Sequence, residues 1–319
     1  MKKRIFPSGM SRIAVFLSVV LALSLFAGCA ATGEKEPPSA SDSTDGVRQY
    51  YERRSETDTA HDYSHMSLET LGAMDAGTLT NAVDTEELRI ELTGAVHCGS
   101  MVELVLRVTA KKLDTVLFDG GTPKNYRFGY ESFLLPPEVN RFDAINVAYT
   151  YSDENGALAP NQFELHYWLL QYPGAPDTFT LTLKDLGVYS PQFTPEYEES
   201  WTVEVTFTGA SDAARTVEPK ADLSICGDAF VLESAEISPF LCIFQLSQGE
   251  TGSETYAEFL QGAKECTLTL TDGTVLDASF FHAEFSQQDD FRFFLEFFAP
   301  IDAASIASVT MFGTDIPLS

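Results

Sequence analysis

Residues 88–109 read LRIELTGAVHCGSMVELVLRVT, and their apolar side chains recur at every second position. Leu88, Ile90 and Leu92 alternate with charged or polar residues, and the alternation resumes after a short turn at 98–100. A period of two is typical of half-buried antiparallel strands joined by short turns. This stretch therefore predicts a hairpin in an all-β protein.

The same alternation recurs on both sides of a polar segment at 209–220. Further strands are predicted at 144–152, 162–171, 179–183 and 201–207 before this segment, and at 230–237, 240–246, 266–271, 276–285, 291–298 and 306–312 after it. Asn155-Gly156 and Asp272-Gly273 are typical hairpin turns. Many short strands at this spacing favour two packed sheets in each half. We therefore predict two β-sandwich domains, at 84–209 and 216–319.

The amino terminus has the pattern of a secretory leader. Residues 1–12 carry four basic side chains, and residues 13–28 are uncharged and mostly apolar. This pattern predicts a signal peptide at 1–28, whereas an anchor that spans the bilayer needs roughly 20 apolar residues. An uncleaved anchor helix is the alternative.

The sequence Phe26-Ala27-Gly28-Cys29 resembles the lipobox of bacterial lipoproteins, with Phe26 in place of the usual Leu. The resemblance implies cleavage before Cys29 and a diacylglyceryl anchor on its thiol. Two acyl chains give stable membrane attachment. We therefore expect a protein anchored by lipid to the outer face of the cell membrane.

Residues 29–60 are predicted to form a lipidated flexible linker. They combine Gly, Pro, Ser and Thr with charges of both signs, and Tyr50 and Tyr51 are their only aromatic residues. Such a segment buries too little apolar surface to offset the entropy lost on ordering. Short helical segments are predicted further along, at 66–74 and 256–264.

The charge balance excludes one class of partner. The chain has 20 basic and 47 acidic residues, which gives a net charge of −27. Residues 1–28 hold four of the basic residues and no acids, so the remainder has 16 basic and 47 acidic residues and a net charge of −31. This sign opposes binding to a phosphate backbone. We therefore expect no nucleic-acid partner.

Several turn and packing motifs are distributed over the two halves. They are TLTLKDLG at 180–187 with Trp201 downstream, Ile237-Ser238-Pro239, Asp272-Gly273-Thr274, and the closing segment between Phe298 and Leu318. With these motifs the chain resembles a family of uncharacterised extracytoplasmic proteins from Firmicutes. The family has paired immunoglobulin-like β-domains, sometimes as the outer part of anti-sigma-type membrane proteins. The resemblance implies two immunoglobulin-like β-sandwich domains in tandem on a Gram-positive surface, and it supplies no catalytic residue.

The histidines and acidic residues predict no catalytic site, metal site or cofactor. His61 and His65 lie four apart, but Asp62 occupies the position where the helical zinc-protease motif has glutamate, so exposed histidines are expected. His97 and Cys98 are adjacent and would point to opposite faces of a strand. Acidic pairs occur without the calcium-loop pattern. We expect a protein that is not an enzyme, and a hydrolase with carboxylates at the domain junction is a lesser alternative.

Two cysteines are predicted to be buried in the second domain. Cys242 and Cys266 each lie in phase with the apolar residues of their strands. A buried free cysteine behaves as a small hydrophobic residue, and a location outside the cell also permits a disulfide. Two separate thiols and a Cys242–Cys266 disulfide are both open at this point.

Three aromatic residues form the candidate recognition face. Trp168 shares the outer face of its strand with Glu164 and His166, and Phe294 and Phe298 share the outer face of theirs. Aromatic side chains between charges are typical of a docking patch or a sugar platform, and burial between the domains explains them equally well. The predicted function is interaction, sensing or envelope assembly with an envelope protein, and a glycan-binding surface lipoprotein is the alternative.

Overall fold

The structure is a computed structural model, and it describes most of the chain after the amino-terminal segment. The described residues are 44–79, 83–112, 118–119, 122–123, 126–129, 145–151, 158–159, 161–170, 178–208, 213–225, 227–248, 261–262, 265–286 and 291–318. The predicted signal peptide, Cys29, the Asn155-Gly156 turn and most of the predicted helix at 256–264 lie outside them. Within the described ranges, no helix has the length and apolar character needed to cross a membrane.

The described chain is mostly antiparallel β-structure, which confirms the predicted all-β class. Helix α1 covers Asp45–Thr57, and 3-10 helices cover Leu68–Ala73, as predicted, and Ala303–Ser305. The strands of the first half are β1 Asp75–Ala76, β2 Thr78–Leu79, β3 Val83–Asp84, β4 Leu88–Cys98, β5 Met101–Ala110, β6 Phe118–Asp119, β7 Thr122–Pro123, β8 Tyr126–Phe128, β9 Ile145–Tyr151, β10 Gln162–Leu170, β11 Thr178–Tyr189 and β12 Phe193–Thr206. The strands of the second half are β13 Arg215–Val217, β14 Ala221–Ile225, β15 Asp228–Ile237, β16 Leu241–Gln248, β17 Thr267–Leu270, β18 Val275–Leu276, β19 Phe281–Ser286, β20 Phe291–Phe297, β21 Ile306–Met311 and β22 Thr314–Pro317.

The first half contains two principal sheets that enclose one core. A six-stranded sheet has the order β1-β4-β5-β10-β9 with β3 beside β4, and a four-stranded sheet has the order β2-β12-β11-β8. The hairpin predicted at 88–109 is β4–β5, and β9 pairs with β10 as expected. Leu104 and Phe163 from the first sheet meet Trp201 from the second in the core.

The second half repeats this arrangement around its own core. Its six-stranded sheet has the order β13-β15-β16-β20-β19 with β14 beside β15, and its four-stranded sheet has the order β18-β17-β21-β22. The prediction of one strand over 276–285 is wrong, because β18 ends at Leu276 and β19 begins at Phe281 in the other sheet. The Asp277 carboxylate accepts hydrogen bonds from the backbone and hydroxyl of Ser279, which fixes a turn between the two strands.

Helix α1 corrects the prediction of a flexible linker throughout 29–60. Val47, Tyr50 and Tyr51 lie three and four positions apart, so one face of the helix carries all three, and all three are buried. The helix packs on the outer face of β4 and β5. Since most helical stability in proteins comes from such tertiary packing, the burial of these apolar residues helps to order a polar segment.

Two glycines permit the close contact between α1 and β4. A Cβ atom on Gly94 would lie 2.5 Å from the backbone nitrogen of Val47, and a Cβ atom on Gly46 would collide with the backbone of Thr93. Neither position therefore has room for a side chain. The helix therefore approaches the strand backbone to backbone.

A third apolar cluster, which we call the seam, joins α1 to the outer faces of the two six-stranded sheets. Its buried members are Val47, Tyr50, Tyr51, Leu71, Met74, Val96, Cys98, Met101, Val105, Trp168, Leu170, Phe240, Leu241, Ile243, Phe294 and Ala299. The rings of Tyr51 and Phe240 stack with their centroids 5.8 Å apart. The helix is therefore held by both halves of the molecule.

Candidate functional site

A half-open cavity of about 610 Å³ lies at the seam. Helix α1, strand β10, strands β19 and β20, and two adjoining segments all contribute to its wall, through Tyr50, Arg54, His61, His166, Trp168, His282, Glu296 and Phe298. Ligand sites in proteins commonly have volumes of about 300–1,000 Å³ and a few convergent polar groups. The cavity is therefore the candidate functional site of the described chain.

Simple periodicities place these side chains in pairs on the same face of an element. Tyr50 and Arg54 lie four residues apart and so share a face of α1. His166 and Trp168 lie two residues apart on the outer face of β10. His282 and Glu296 are directly paired across β19 and β20, which places their side chains beside each other on one face of the second sheet.

The floor of the cavity is a stack of two rings. The rings of Tyr50 and His166 are 3.8 Å apart and inclined by 20°. The Nε2 atom of His166 is hydrogen-bonded to Oε1 of Glu103, and the Tyr51 hydroxyl donates to the same oxygen at 2.7 Å. Because its Nε2 is held in this way, the buried His166 ring has a fixed orientation.

The buried Glu103 side chain lies beneath this floor. Its side chain is fully buried, and its Oε2 atom has no hydrogen-bond partner within the described part of the chain. Burial raises the pKa of Tyr51 well above its usual range, and the neighbouring Glu103 raises it further. Tyr51 therefore remains a protonated donor to Glu103 at any pH near neutrality.

A second buried carboxylate fastens α1 to the sheet. Glu164 is 2% exposed, and its Oε1 atom accepts a hydrogen bond from Arg107 at 2.8 Å. Its Oε2 atom is paired with Arg53 of the helix. Removing one partner from a buried ion pair leaves an uncompensated charge, so pairs of this kind fix geometry strongly. The helix residues of the cavity wall are thereby held in place.

The rim of the cavity carries an aspartate–histidine pair. Oδ2 of Asp58 accepts hydrogen bonds from Nδ1 of His61 at 2.7 Å and from the hydroxyl of Tyr63 at 2.8 Å. The bond from His61, with smaller contributions from Ala60 and Tyr63, holds the pKa of Asp58 well below its usual range. Asp58 is therefore ionised, and its Oδ2 atom lies 3.6 Å from Nε of Arg54.

The three residues of the predicted recognition face lie at the seam and in the cavity wall. Trp168 is 8% exposed and Phe294 is 6% exposed, because α1 and the opposite sheet cover them. Trp168 and Phe294 are therefore buried within the protein, which was the alternative explanation for their positions, and the assignment of a ligand or partner face stays a prediction. Trp168 belongs to the seam and also lines the cavity together with the half-buried Phe298, whereas Phe294 belongs to the seam and is not among the residues found in the cavity wall.

The two early histidines also differ from expectation. Neither lies on a helix, and both are partly buried. The His61 ring lies 3.7 Å from the ring of Phe298, and the His65 ring lies 5.7 Å from that of Phe280. Packing of the 58–68 segment on the second pair of sheets explains their burial, as the hydrogen bond from Ser67 to the Pro300 carbonyl illustrates.

Four residues of the cavity wall were not predicted from the sequence: Tyr50, Arg54, His282 and Glu296. The spacing of Tyr50 and Arg54 was a usable signal, but the surrounding composition favoured a linker. His282 and Glu296 lie on predicted strands, and nothing local distinguishes them from ordinary surface residues. The cavity is a product of tertiary packing.

The cysteines follow the predictions in part. Cys242 and Cys266 are buried in the second core, and both are free thiols in the structure. Burial raises the pKa of both, that of Cys266 to about 12, and the neighbouring Cys266 raises the pKa of Cys242 further. The Cys242–Cys266 disulfide stays a prediction. His97 and Cys98 diverge as expected, since His97 contacts Phe207 and Cys98 enters the seam.

Comparison with known proteins adds little to these observations. No family model and no curated protein matches the chain. A similar solved structure is the crystal structure of the conserved domain protein from Bacillus anthracis, with 8% identity over 73% of this chain and 75% of that one and a TM-score of 0.44.

In the described residues, no group of three or more His, Cys, Asp or Glu side chains is arranged to hold a metal ion.

Proposed function

We propose that this protein is a lipid-anchored binding or sensing module on the outer face of the cell membrane, without enzymatic activity. Its ligand site is the cavity at the seam. One observation carries the proposal: three separated parts of the chain converge on about 610 Å³ of space and surround it with aromatic and polar side chains. Small-molecule sites are typically concave and combine aromatic side chains with a few convergent polar groups.

The architecture proposed for the module is two immunoglobulin-like β-sandwich domains in tandem, at 84–209 and 216–319. Each half of the chain has a six-stranded and a four-stranded sheet around its own core, which supports the proposal. The motif resemblance to extracytoplasmic proteins of Firmicutes supports it as well. A sandwich architecture by itself selects no function, so the function is proposed from the cavity.

The proposed anchor is a diacylglyceryl group on Cys29, after removal of the signal peptide at 1–28. In this arrangement the residues between Cys29 and α1 connect the membrane to the helix that forms part of the cavity wall. A Cys29→Ala variant is expected to leave the membrane fraction and appear in soluble fractions or the medium. Full retention of Cys29→Ala in washed membranes contradicts the lipid anchor.

The binding function is tested with a thermal-shift panel on the full chain. The panel contains four ligand classes: uncharged sugars, anionic sugars and carboxylates, amines, and amino acids. At least one class is expected to raise the Tm of the wild-type protein and to have no effect on Phe298→Ala, because Phe298 lines the cavity.

The control is Tyr189→Ala, which removes another aromatic side chain that is 44% exposed and outside the cavity wall. This variant is expected to respond like the wild-type protein. If no class stabilises the wild-type protein, or if every effect persists in Phe298→Ala, the cavity is not the ligand site.

A further inference from the structure

We infer that the ligand of the cavity is a small organic molecule with a primary ammonium group. This inference rests on the proposed function and names the chemistry of its ligand. Three properties of the cavity carry it: the polar character of its accessible wall, an excess of negative charge, and acceptors that suit a donor with several N–H bonds.

The accessible part of the cavity wall is mostly polar. Three of its ring-bearing residues offer a ligand little surface, since Tyr50 is 5%, His166 3% and Trp168 8% exposed. The other members of the wall are partly or fully exposed, and they are Arg54, His61, His282, Glu296 and Phe298. A ligand therefore meets one guanidinium, two imidazoles, one carboxylate and a single accessible aromatic ring.

Negative charge exceeds positive charge around this wall. Arg54 is offset by Asp58, whose Oδ2 atom lies 3.6 Å from its Nε, and it also donates to the Tyr50 hydroxyl. Burial raises the pKa of Tyr50, and Arg54 opposes this rise. The negative charges of Glu103 and Glu296 raise the same pKa further, so both carboxylates act on the cavity. Together with the net charge of −27 of the chain, they attract a cationic ligand and repel an anionic one.

The accessible acceptors suit a cation that carries N–H bonds. Nδ1 of His61 donates to Asp58, so Nε2 is the acceptor of the neutral ring. His282 and Glu296 are directly paired across β19 and β20, which places a second imidazole beside the carboxylate. Glu296 has a further interaction within the protein, but a carboxylate has about four lone-pair sites and can accept additional hydrogen bonds. A primary ammonium group supplies three donors for such acceptors.

The same wall disfavours a quaternary ammonium group, which has no N–H bond to donate. Quaternary cations are typically held by several open aromatic faces. Phe298 is the one accessible aromatic ring among the residues found in the cavity wall, since Tyr50 and Trp168 are buried. Phe298 can contact the carbon skeleton of a ligand, while the carboxylate and the imidazoles bind its ammonium group. The volume of about 610 Å³ accommodates a small molecule of this kind.

The test is calorimetric titration of the full chain in a neutral detergent and a buffer without a primary amine, at about pH 8, where a free imidazole is neutral. The probes are pentylamine, phenethylamine and cadaverine. Each is compared with counterparts in which an alcohol, a carboxylate or a trimethylammonium group replaces the amine. At least one primary amine is expected to bind, and its three counterparts are expected to bind at least about tenfold more weakly.

Two variants and a matched control connect binding to the cavity. Glu296→Gln keeps the shape of the side chain and removes its charge, so it is expected to weaken binding of the amine by about tenfold or more. Phe298→Ala is expected to weaken binding of the same amine by about threefold or more, because it removes the apolar contact. The control is Glu198→Gln, which removes an exposed carboxylate of β12 outside the cavity wall and is expected to bind as the wild-type protein does.

The outcomes separate this inference from the proposed function. If an alcohol, carboxylate or trimethylammonium probe binds as tightly as its amine and the binding depends on Phe298, the ammonium inference is wrong and the binding function stands. If no primary amine binds, or if Glu296→Gln and Glu198→Gln weaken binding equally, the ammonium inference is also wrong. If, in addition, no ligand class in the thermal-shift panel shows dependence on Phe298, both proposals are wrong.

Discussion

The substitution Tyr51→Phe tests whether the buried Glu103 network holds α1 on the sheet. It removes the hydroxyl that donates to Oε1 of Glu103 at 2.7 Å and leaves the ring stacked on Phe240. A hydrogen bond to a charged group contributes about 1.5–3 kcal/mol. Since Oε2 of Glu103 already has no partner within the described residues, we expect most of this energy to be lost. Opening of the helix should become roughly 10- to 100-fold more frequent.

Hydrogen exchange measured by mass spectrometry detects this change. Peptides that cover Asp45–Thr57 should exchange faster in Tyr51→Phe, while peptides from β21 and β22 should be unaffected. The matched control is Tyr50→Phe, which removes the neighbouring hydroxyl; this hydroxyl accepts a hydrogen bond from the partly exposed Arg54 at 3.2 Å. If exchange in Tyr51→Phe is no faster than in Tyr50→Phe, the Glu103 network does not hold the helix.

Three further substitutions or treatments give expected outcomes. Gly94→Ala places a Cβ atom 2.5 Å from the helix backbone and should lower the Tm by several degrees. The control Gly72→Ala, with no atom within 4 Å of the new Cβ, should leave the Tm unchanged, and equal Tm values for the two variants would contradict the close contact. Asp58→Asn should have a lower free energy of unfolding than the wild-type protein at pH 7. This difference in stability should shrink as the pH falls below about 4 and vanish towards the lowered pKa of Asp58, and a difference that does not depend on pH refutes the ion pair. Cys242 and Cys266 should resist iodoacetamide in the native protein and react on unfolding without reductant; a requirement for reductant would establish the disulfide.

The sequence predicts well the elements whose formation depends on residues close together in the chain. The β4–β5 hairpin follows from the alternation over 88–109, because the period of two reports directly which side chains face a core. Helix α1 was missed, since its partner surface comes from strands that lie far from it in sequence. Val47 is buried only because Gly94 lets the helix approach the sheet. Composition alone carries no information about such a partner.

The candidate site shows the same limit. The sequence predicts that the aromatic residues Trp168 and Phe294 lie on outer strand faces. Both are buried there, because other parts of the chain cover these faces. Their positions in the sequence do not indicate whether a ligand, a partner protein or another part of the chain covers these faces. The cavity needs Tyr50, His166 and Glu296 together, which lie more than a hundred residues apart, and only the folded arrangement of the helix and the two sheets reveals it.

The most direct test of the cavity as a ligand site uses the two tryptophans of the chain. Trp168 lines the cavity and Trp201 lies in the first core, so a fluorotryptophan-labelled protein gives one reporter at the site and one internal control. The Trp201→Phe variant assigns the two ¹⁹F resonances. Titration with a compound that raises the Tm of the wild-type protein in the thermal-shift panel is expected to shift the Trp168 resonance and leave that of Trp201 unchanged. A titration in which the Trp168 resonance does not move, or in which only Trp201 responds, contradicts binding in the cavity.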